Sequence, residues 1–210
     1  VDRRQRQMCI RDSNGTPLTV RMWGENTVNL NGVQAAPNWT VTLPPLGTLY
    51  LEIYPASDTG VVLTGWARVE PERLRRVSVF GIFRATIPGT PDFEALVPLE
   101  RPLIGKALVP FNNKNGFVTS LALLNYMNST PSEILVEVLD PDGVVIGTYR
   151  ETLSPRQHIA LETNTRWPAS AGKFGTLKIT GITLADYFSG LALLFNPSGS
   201  VTTAPFVEVY

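Results

Sequence analysis

The stretch ILVEVLDPDG, Ile134 to Gly143, decides the fold class of this 210-residue chain. Apolar residues stand at every second position from Ile134 to Val138, which places them on one face of an extended strand. The strand runs into the tetrad Asp140–Gly143, a sequence typical of a tight turn in which glycine takes a positive φ. The stretch therefore predicts a β-strand followed by a hairpin.

Similar apolar runs recur along the whole chain, separated by 17 glycines and 17 prolines. Two more turn sequences, Asn112–Gly116 and Asn196–Gly199, interrupt them. The segment LALLNYMN, Leu121–Asn128, suits a short helix in isolation, but the repeat described next favours a strand. Short strands with turn signals roughly every 8–12 residues predict an all-β sandwich or barrel.

The chain contains an internal repeat. Thr42–Val69 aligns with Thr152–Ile179 without a gap at an offset of 110 residues. Flanking segments keep the same order, and Phe93–Leu96 falls where Phe206–Val209 does. We predict two tandem immunoglobulin-like β-sandwich modules of roughly 110 residues each. The identities are Thr42/Thr152, Leu43/Leu153, Pro45/Pro155, Leu51/Leu161, Glu52/Glu162 and Gly65/Gly175.

The second copy has an opening that the first copy lacks. Residues 106–132 supply two strands before ILVEVL, whereas the first copy begins at Leu18, with Arg3–Ser13 standing where those strands belong. We expect a truncated first module at 14–100 and a second module at 101–210, joined by a proline-bearing linker near Pro98–Pro102. Truncation would leave apolar strands of the first module without partners.

The opening RRQRQMCIRDS, Arg3–Ser13, differs from everything that follows. It holds four arginines within nine positions and the only cysteine, Cys9. One coding sequence for Arg3–Asp12 resembles the transposase adapter used to prepare shotgun sequencing libraries. The resemblance implies a metagenomic fragment whose residues 1–13 are non-native. The alternative, a basic arm for nucleic acid, is disfavoured by a match that spans ten residues.

The body of the chain resembles a tandem repeat module of large, poorly characterised secreted bacterial proteins. The resemblance rests on GWARVE (65–70), VSVFGIFR (77–84) and PDFEALVP (91–98) in the first copy. In the second copy it rests on LVPFNN (108–113), ILVEVLDPDG (134–143) and FGTLKI (174–179). It implies a β-sandwich fold and an extracellular location, and it carries over no catalytic residue.

Charge and cysteine content exclude several classes of function. Lys+Arg and Asp+Glu both total 18, so no net field favours nucleic acid as a partner. No window holds the ~18 consecutive apolar residues of a membrane span. A single cysteine provides neither a disulfide framework nor a cysteine-based metal site. We predict no metal and no cofactor.

Three short motifs could carry chemistry, and each has a simpler interpretation. Asp58-Thr59-Gly60 matches the active-site triplet of aspartic peptidases, but YPAS precedes it instead of an apolar strand, so a loop turn is favoured. His158, the only histidine, aligns with Thr48 at the start of a strand and is expected at an exposed polar position. Asp140 and Asp142 could bind Ca²⁺, but a hairpin turn explains them better.

Aromatic residues give the one candidate ligand site. In the alignment, Ala67 and Val69 match core positions, so Trp66 and Arg68 are expected to face outward, as is Tyr50 on its own strand. Exposed Trp and Tyr rings can stack on sugar rings. The alternative is contact with other strands or modules.

The sequence favours a non-enzymatic structural or adhesion segment of a secreted or cell-surface bacterial protein. Its partners would be neighbouring modules, with polysaccharide or extracellular matrix as further partners. A carbohydrate-binding module using Tyr50 and Trp66 is the second hypothesis. An aspartic-peptidase-like activity at Asp58 is a distant third.

Overall fold

The computed structural model describes residues 2–11, 16–24, 28–30, 33–34, 38–43, 48–55, 65–71, 78–86, 93–98, 104–204 and 206–209. The chain divides into two units, Val1–Leu99 and Glu100–Tyr210. In the first unit, side chains are described for Thr40, Thr42 and residues 66–70, 79–82 and 94–98.

The first unit is built from antiparallel strands. They are β1 (Asp2–Arg11), β2 (Thr16–Gly24), β3 (Val28–Leu30), β4 (Val33–Gln34), β5 (Asn38–Leu43), β6 (Thr48–Pro55), β7 (Gly65–Pro71), β8 (Ser78–Thr86) and β9 (Phe93–Pro98). Its sheets have the orders β4-β3-β6-β1-β8-β9 and β5-β2-β7.

The second unit is also antiparallel and has two sheets. Its strands are β10 (Lys106–Asn112), β11 (Val118–Leu124), β12 (Ser132–Leu139), β13 (Val145–Leu153), β14 (His158–Glu162), β15 (Phe174–Gly181), β16 (Ser189–Phe195), β17 (Val201–Ala204) and β18 (Val207–Glu208). One sheet has the order β13-β12-β15-β10-β18, and the other has the order β14-β11-β16-β17.

The alternation of ILVEVLDPDG places the core where the sequence predicts it. Ile134, Val136 and Val138 of β12 are fully buried, and the intervening positions are partly exposed. Leu121 and Leu123 of β11, from the other sheet, belong to the same core cluster. Burial of each such side chain contributes roughly 1.5–3 kcal/mol. The all-β prediction is confirmed, and Leu121–Leu124 of LALLNYMN belongs to a strand, which ends before Asn125.

Both predicted four-residue turns form, and they have the same hydrogen bonds. In Asp140–Gly143, Gly143 has φ +80° and donates its N–H to the carbonyl of Asp140 at 3.0 Å. In Asn196–Gly199, Gly199 has φ +85° and donates to the carbonyl of Asn196 at 3.0 Å. In each turn the first side chain accepts main-chain N–H groups, as Asp and Asn do in tight turns.

A short crossover joins β14 to β15 and is held by a buried amide. It contains α1 (Thr163–Arg166) and a 3₁₀ turn at Pro168–Ser170. Asn113 accepts the N–H of Thr119 at 2.8 Å and donates its amide to Thr163 Oγ1 at 2.8 Å and Ser170 Oγ at 3.0 Å. All four residues are buried. Because these polar groups bond to one another, their burial carries little penalty.

Strand register in the two units follows the sequence repeat. β2 lies between β5 and β7, as β12 lies between β13 and β15. Leu18 is opposite Val41 and Pro71, whereas Ile134 is opposite Glu151 and Gly181. The partners of Leu18 and of Ile134 on each side, Val41 and Glu151 on one and Pro71 and Gly181 on the other, therefore differ by the 110 residues that separate the repeats. A slip of one residue would move every side chain of the strand to the opposite face of the sheet. The two units have the same register at these positions.

The opening segment has a structural position that the sequence did not predict. β1 pairs with β6 on one side and β8 on the other, as β11 pairs with β14 and β16. The expectation that the strands beside it would be left without partners is therefore wrong here. The physical reason is that main-chain hydrogen bonding accepts an extended segment of almost any sequence.

Two further expectations need correction at the level of topology. β9, which contains Phe93–Leu96, pairs with β8, but the supposed equivalent at Phe206–Val209 pairs with β10 instead of β16. The strand beside β16 is β17, so the match of Phe93 with Phe206 is wrong.

The second unit also departs from an immunoglobulin constant domain, in which the first strand pairs with the second and the seventh with the sixth. Here the first strand, β10, pairs with the sixth, β15, and the seventh, β16, pairs with the second, β11. The pairings of the second strand with the fifth and of the third with the sixth agree with the immunoglobulin order.

Candidate functional site

The candidate ligand residues Trp66 and Arg68 lie two positions apart in β7. Trp66 is half-buried, and Arg68 is exposed and forms an ion pair with Glu70 at 2.9 Å. The expectation that Ala67 faces the core is wrong, because Ala67 is exposed. The equivalent Leu177 is buried and lies opposite Val109 of β10, whereas the described part of the first unit has no strand on that side of β7.

Register adds an aromatic residue that the sequence analysis missed. Trp23 of β2 is opposite Trp66, and Arg21 of β2 is opposite Arg68. Residues directly opposite in an antiparallel pair have Cβ atoms about 4.5–5.5 Å apart. By strand register, the aromatic residue opposite Trp66 is therefore Trp23, and Tyr50 lies on a strand of the other sheet.

Tyr50 lies in β6, opposite Cys9 of β1. β6 belongs to the six-stranded sheet and β7 to the three-stranded sheet. Strand pairing therefore does not bring Tyr50 next to Trp66 or Arg68, and the side chain of Tyr50 lies outside the described residues. The peptidase-like triplet Asp58-Thr59-Gly60 also lies outside them.

His158 begins β14 and is opposite Leu124. It is half-buried, so its predicted exposed position is wrong. Burial lowers the pKa of His158 below its ordinary value of 6.5 because the charged imidazolium loses hydration. A catalytic triad requires a histidine that is hydrogen-bonded to a nucleophile and to a carboxylate. Among the described residues, no such pair of hydrogen bonds involves His158.

The carboxylate of Asp140 is used inside its own turn. Its Oδ1 accepts the N–H groups of Asp142 at 3.0 Å and Val144 at 2.9 Å. Both bonds stabilise the hairpin in the way that short polar side chains stabilise turns. In the part of the chain that the structure describes, no group of three or more His, Cys, Asp or Glu side chains could hold a metal ion.

A buried carboxylate cluster centres on Glu151 of β13. Its carboxylate accepts the indole N–H of Trp167 at 3.0 Å, and Arg166 Nε and Nη2 at 2.8 and 2.5 Å. Trp167 is completely buried, and Glu151 is 7% exposed. Burial acts to raise the pKa of Glu151, but the hydrogen bonds from Arg166 and Trp167 and the charge of Arg166 outweigh it, so the pKa lies below its ordinary value.

This cluster is built for structure more than for binding. Arg166 uses both Nε and Nη2 on Glu151, so its bidentate fork is already occupied. A shallow depression beside it is lined by Leu161, Glu162, Thr165 and Arg166. Glu162 places an acidic side chain at that depression, which disfavours an anionic ligand there.

A second buried carboxylate closes the loop between β15 and β16. Asp186 accepts the N–H of Glu133 at 3.0 Å through Oδ1 and the N–H of Thr183 at 2.7 Å through Oδ2. Burial acts to raise its pKa, but these hydrogen bonds hold it below its ordinary value. Both oxygens of Asp186 therefore stabilise main-chain geometry.

The alternation of β13 contains a sequence signal for the Glu151 cluster. Tyr149, Glu151 and Leu153 share one face of β13, so a glutamate occupies a core-facing position. At the offset of 110 the first copy has Val41, Ala56 and Ser57 where the second has Glu151, Arg166 and Trp167. The three polar partners are thus present together in one copy and replaced together in the other.

No protein-family model matches the sequence, and no curated protein or solved structure matches it. Within the described ranges, no helix has both the length and the apolar character needed to cross a membrane.

Proposed function

We propose that the chain is a non-enzymatic structural or adhesion segment made of repeated β-sandwich modules. The proposal places it in a secreted or cell-surface bacterial protein, with residues 3–13 derived from a sequencing adapter in a metagenomic fragment. Each module would act as a spacer that presents its neighbours, with immunoglobulin-like order in its central strands. Neighbouring modules are the proposed partners, and extracellular matrix is a further one.

One observation carries the proposal: the strand register of the two units follows the 110-residue sequence repeat. Modular repetition of a β-sandwich is common in proteins that extend from a surface. The buried charged groups of the second unit are also engaged in main-chain and side-chain bonds that stabilise the fold. Such a unit suits mechanical and spacing roles.

A force measurement tests the spacer role. The full chain, held between two marker domains, is extended by atomic force or optical tweezers. Unfolding of the second unit should release one discrete length of roughly 350 Å, the contour of about a hundred residues. Glu151→Ala should lower the force of that event, and the exposed neighbour Thr152→Ala should leave it unchanged. Extension without a discrete event would contradict a module that resists force.

A second candidate is carbohydrate binding, and the register of Trp23 opposite Trp66 favours it. Trp23 and Trp66 are opposite each other in neighbouring strands, and Arg21 and Arg68 are opposite each other two positions along. Tryptophan is a residue type that can stack on a sugar ring. Titration with soluble polysaccharides should shift Trp fluorescence in the full chain and fail in Trp66→Ala. Trp167→Phe is the matched control, since that indole is buried in the second unit. A broad glycan panel without binding would end this candidate.

A further inference from the structure

The strand β14 lies at the edge of the four-stranded sheet of the second unit. It pairs with β11 along residues 158–162, and no other described strand pairs with it. The open side of an edge strand presents a row of main-chain N–H and C=O groups that can pair with another chain. The open side of β14 is therefore a candidate interaction surface.

The hydrogen bonds to β11 show which main-chain groups of β14 face the open side. Asn125 donates its N–H to the carbonyl of Gln157 at 2.9 Å, in the same register as the pairing of β11 with β14. Alternate residues of an antiparallel strand bond to the same neighbour, so Ile159 and Leu161 also bond to β11. The intervening residues direct their N–H and C=O groups to the open side, and they are His158, Ala160 and Glu162.

The edge strand of the other sheet, β13, has features that hinder pairing with another chain. Its register shifts opposite Val138 and Leu139, and it carries the exposed Arg150. The crossover lies against it, since Ala169 donates its N–H to the hydroxyl of Tyr149 at 2.9 Å. Bulges, charged side chains and covering segments are the means by which natural edge strands avoid such pairing. β14 has an unbroken register, and its sequence HIALE contains no lysine, arginine or proline.

The sequence of β14 is complementary to itself in one antiparallel register. When Ala160 is opposite Ala160 of a second copy, His158 is opposite Glu162 and Ile159 is opposite Leu161. An imidazole N–H can donate a hydrogen bond to a carboxylate. Ile159 and Leu161 pack against the core and are partly exposed, so this pairing would bury them further. Polar side chains therefore meet on one face of the joined strands, and apolar side chains meet on the other.

The same register uses every main-chain group of β14 that faces the open side. Each residue that faces the open side would exchange two hydrogen bonds with its opposite, which gives about six bonds in total. A shift of two residues would place Ala160 opposite His158 or Glu162 and would keep about four. Main-chain bonding and side-chain chemistry therefore favour the same arrangement.

We propose that β14 is a self-association site through which the second unit binds the second unit of another copy of this chain. The two β14 strands pair antiparallel about a twofold axis at Ala160, which joins the two four-stranded sheets into one continuous sheet. The association goes beyond the spacer role and does not rest on it, because it follows from this edge alone. A strand of five residues gives a small interface, so the dimer is weak and reversible.

The first test locates the contact in the full chain by disulfide cross-linking. Cys9 is the only cysteine, so Cys9→Ser provides the background. Ala160→Cys in that background should form a disulfide between two chains, because the two Cα atoms would be about 5.5 Å apart. Thr152→Cys, at an exposed position of β13, is the control and should cross-link at least fivefold more slowly. Equal rates for the two variants would overturn the proposal.

The second test uses two variants that should associate with each other but not with themselves. His158→Glu gives β14 two carboxylates, and the double variant His158→Lys/Glu162→Lys gives it two ammonium groups. Like charges directly opposite each other are unfavourable, so each variant alone should dimerise at least tenfold more weakly than the unaltered chain in sedimentation equilibrium. In an equimolar mixture each carboxylate is opposite an ammonium group, and association should be restored to within threefold.

The control for the mixing experiment places the same kinds of charge on β13. Thr152→Glu mixed with Thr152→Lys should associate no more strongly than either variant alone. Absence of a gain on mixing the β14 variants, or an equal gain in the β13 pair, would refute the proposal. An unaltered chain that remains monomeric up to about 1 mM would also refute it.

Discussion

The indole nitrogen of Trp167 lies 3.0 Å from Oε1 of Glu151, and both side chains are buried in the second unit. The contact joins β13 to the crossover that follows β14. Arg166 binds the same carboxylate, so the negative charge of the core-facing Glu151 is neutralised by an adjacent positive charge. Buried charged groups of this kind are tolerated only when they are fully bonded.

Glu151→Ala should destabilise the second unit by about 2–3 kcal/mol, because it leaves the buried N–H of Trp167 without an acceptor. Trp167→Phe should cost about 1–2 kcal/mol, since the carboxylate keeps Arg166. The effects should not add in the double variant. Urea unfolding followed by circular dichroism measures all three. Thr152→Ala, at an exposed position, is the control. Equal free energies of unfolding for Glu151→Ala and Thr152→Ala would contradict the role assigned to this carboxylate.

Acid should unfold the second unit through its two buried carboxylates. The folded pKa values of Glu151 and Asp186 lie below their ordinary values of 4.5 and 3.8. A lowered folded pKa stabilises the protein above the unfolded pKa, and that stability is lost as the pH falls through the folded pKa. The free energy of unfolding should therefore decline below about pH 4.5. Glu151→Gln and Asp186→Asn should flatten the decline, and an unchanged slope in both would argue against it.

His158 should add a separate pH dependence nearer neutrality. Burial lowers its folded pKa below 6.5, so protonation favours the unfolded chain. The corresponding stability is complete above pH 6.5 and is lost as the pH falls toward the folded pKa. Because the chain has a single histidine, His158→Gln should remove this step between about pH 7.5 and 5.5 while retaining the acid step. Superimposable profiles for the two proteins would contradict the shift.

Gly175 should not tolerate a side chain. A Cβ at this position would collide with the carbonyl oxygen of Leu139 and meet the ring of Phe111 at 3.2 Å. Gly175→Ala should cost about 1–3 kcal/mol, as overpacking of a well-packed core does. At Gly105 the nearest atom to such a Cβ is Tyr187 Cε1 at 3.9 Å, so Gly105→Ala is the control. Equal unfolding midpoints in urea would contradict the close approach.

Much of the fold follows from local rules that a sequence displays. Alternation in Ile134–Leu139 identifies β12 and its buried face, and Asp140–Gly143 forms the predicted hairpin. The offset of 110 anticipates the register of β2 and β12. These features depend on neighbouring residues and on the period of a strand, both of which are visible without a structure.

Other features depend on contacts between distant segments. Glu151 and Trp167 meet because a crossover folds back over β13, and no periodicity encodes that path. Ala67 is exposed although its alignment partner Leu177 is buried, and among the described strands β15 has a neighbour, β10, that β7 lacks. The composition of β1 predicts no strand. β1 is a strand in the structure because its main chain pairs with β6 on one side and with β8 on the other.

The pairing of β10 with β15 has a consequence for how the second unit is made. Lys106–Asn112 bonds to residues that lie more than sixty positions later in the chain. Such non-local pairing slows folding, because the closing loop must be ordered before the contact forms. During synthesis, the first strand must therefore wait while β11 to β14 are translated. Until β15 has been made, the apolar residues of β10 lack the strand with which they pair in the folded unit.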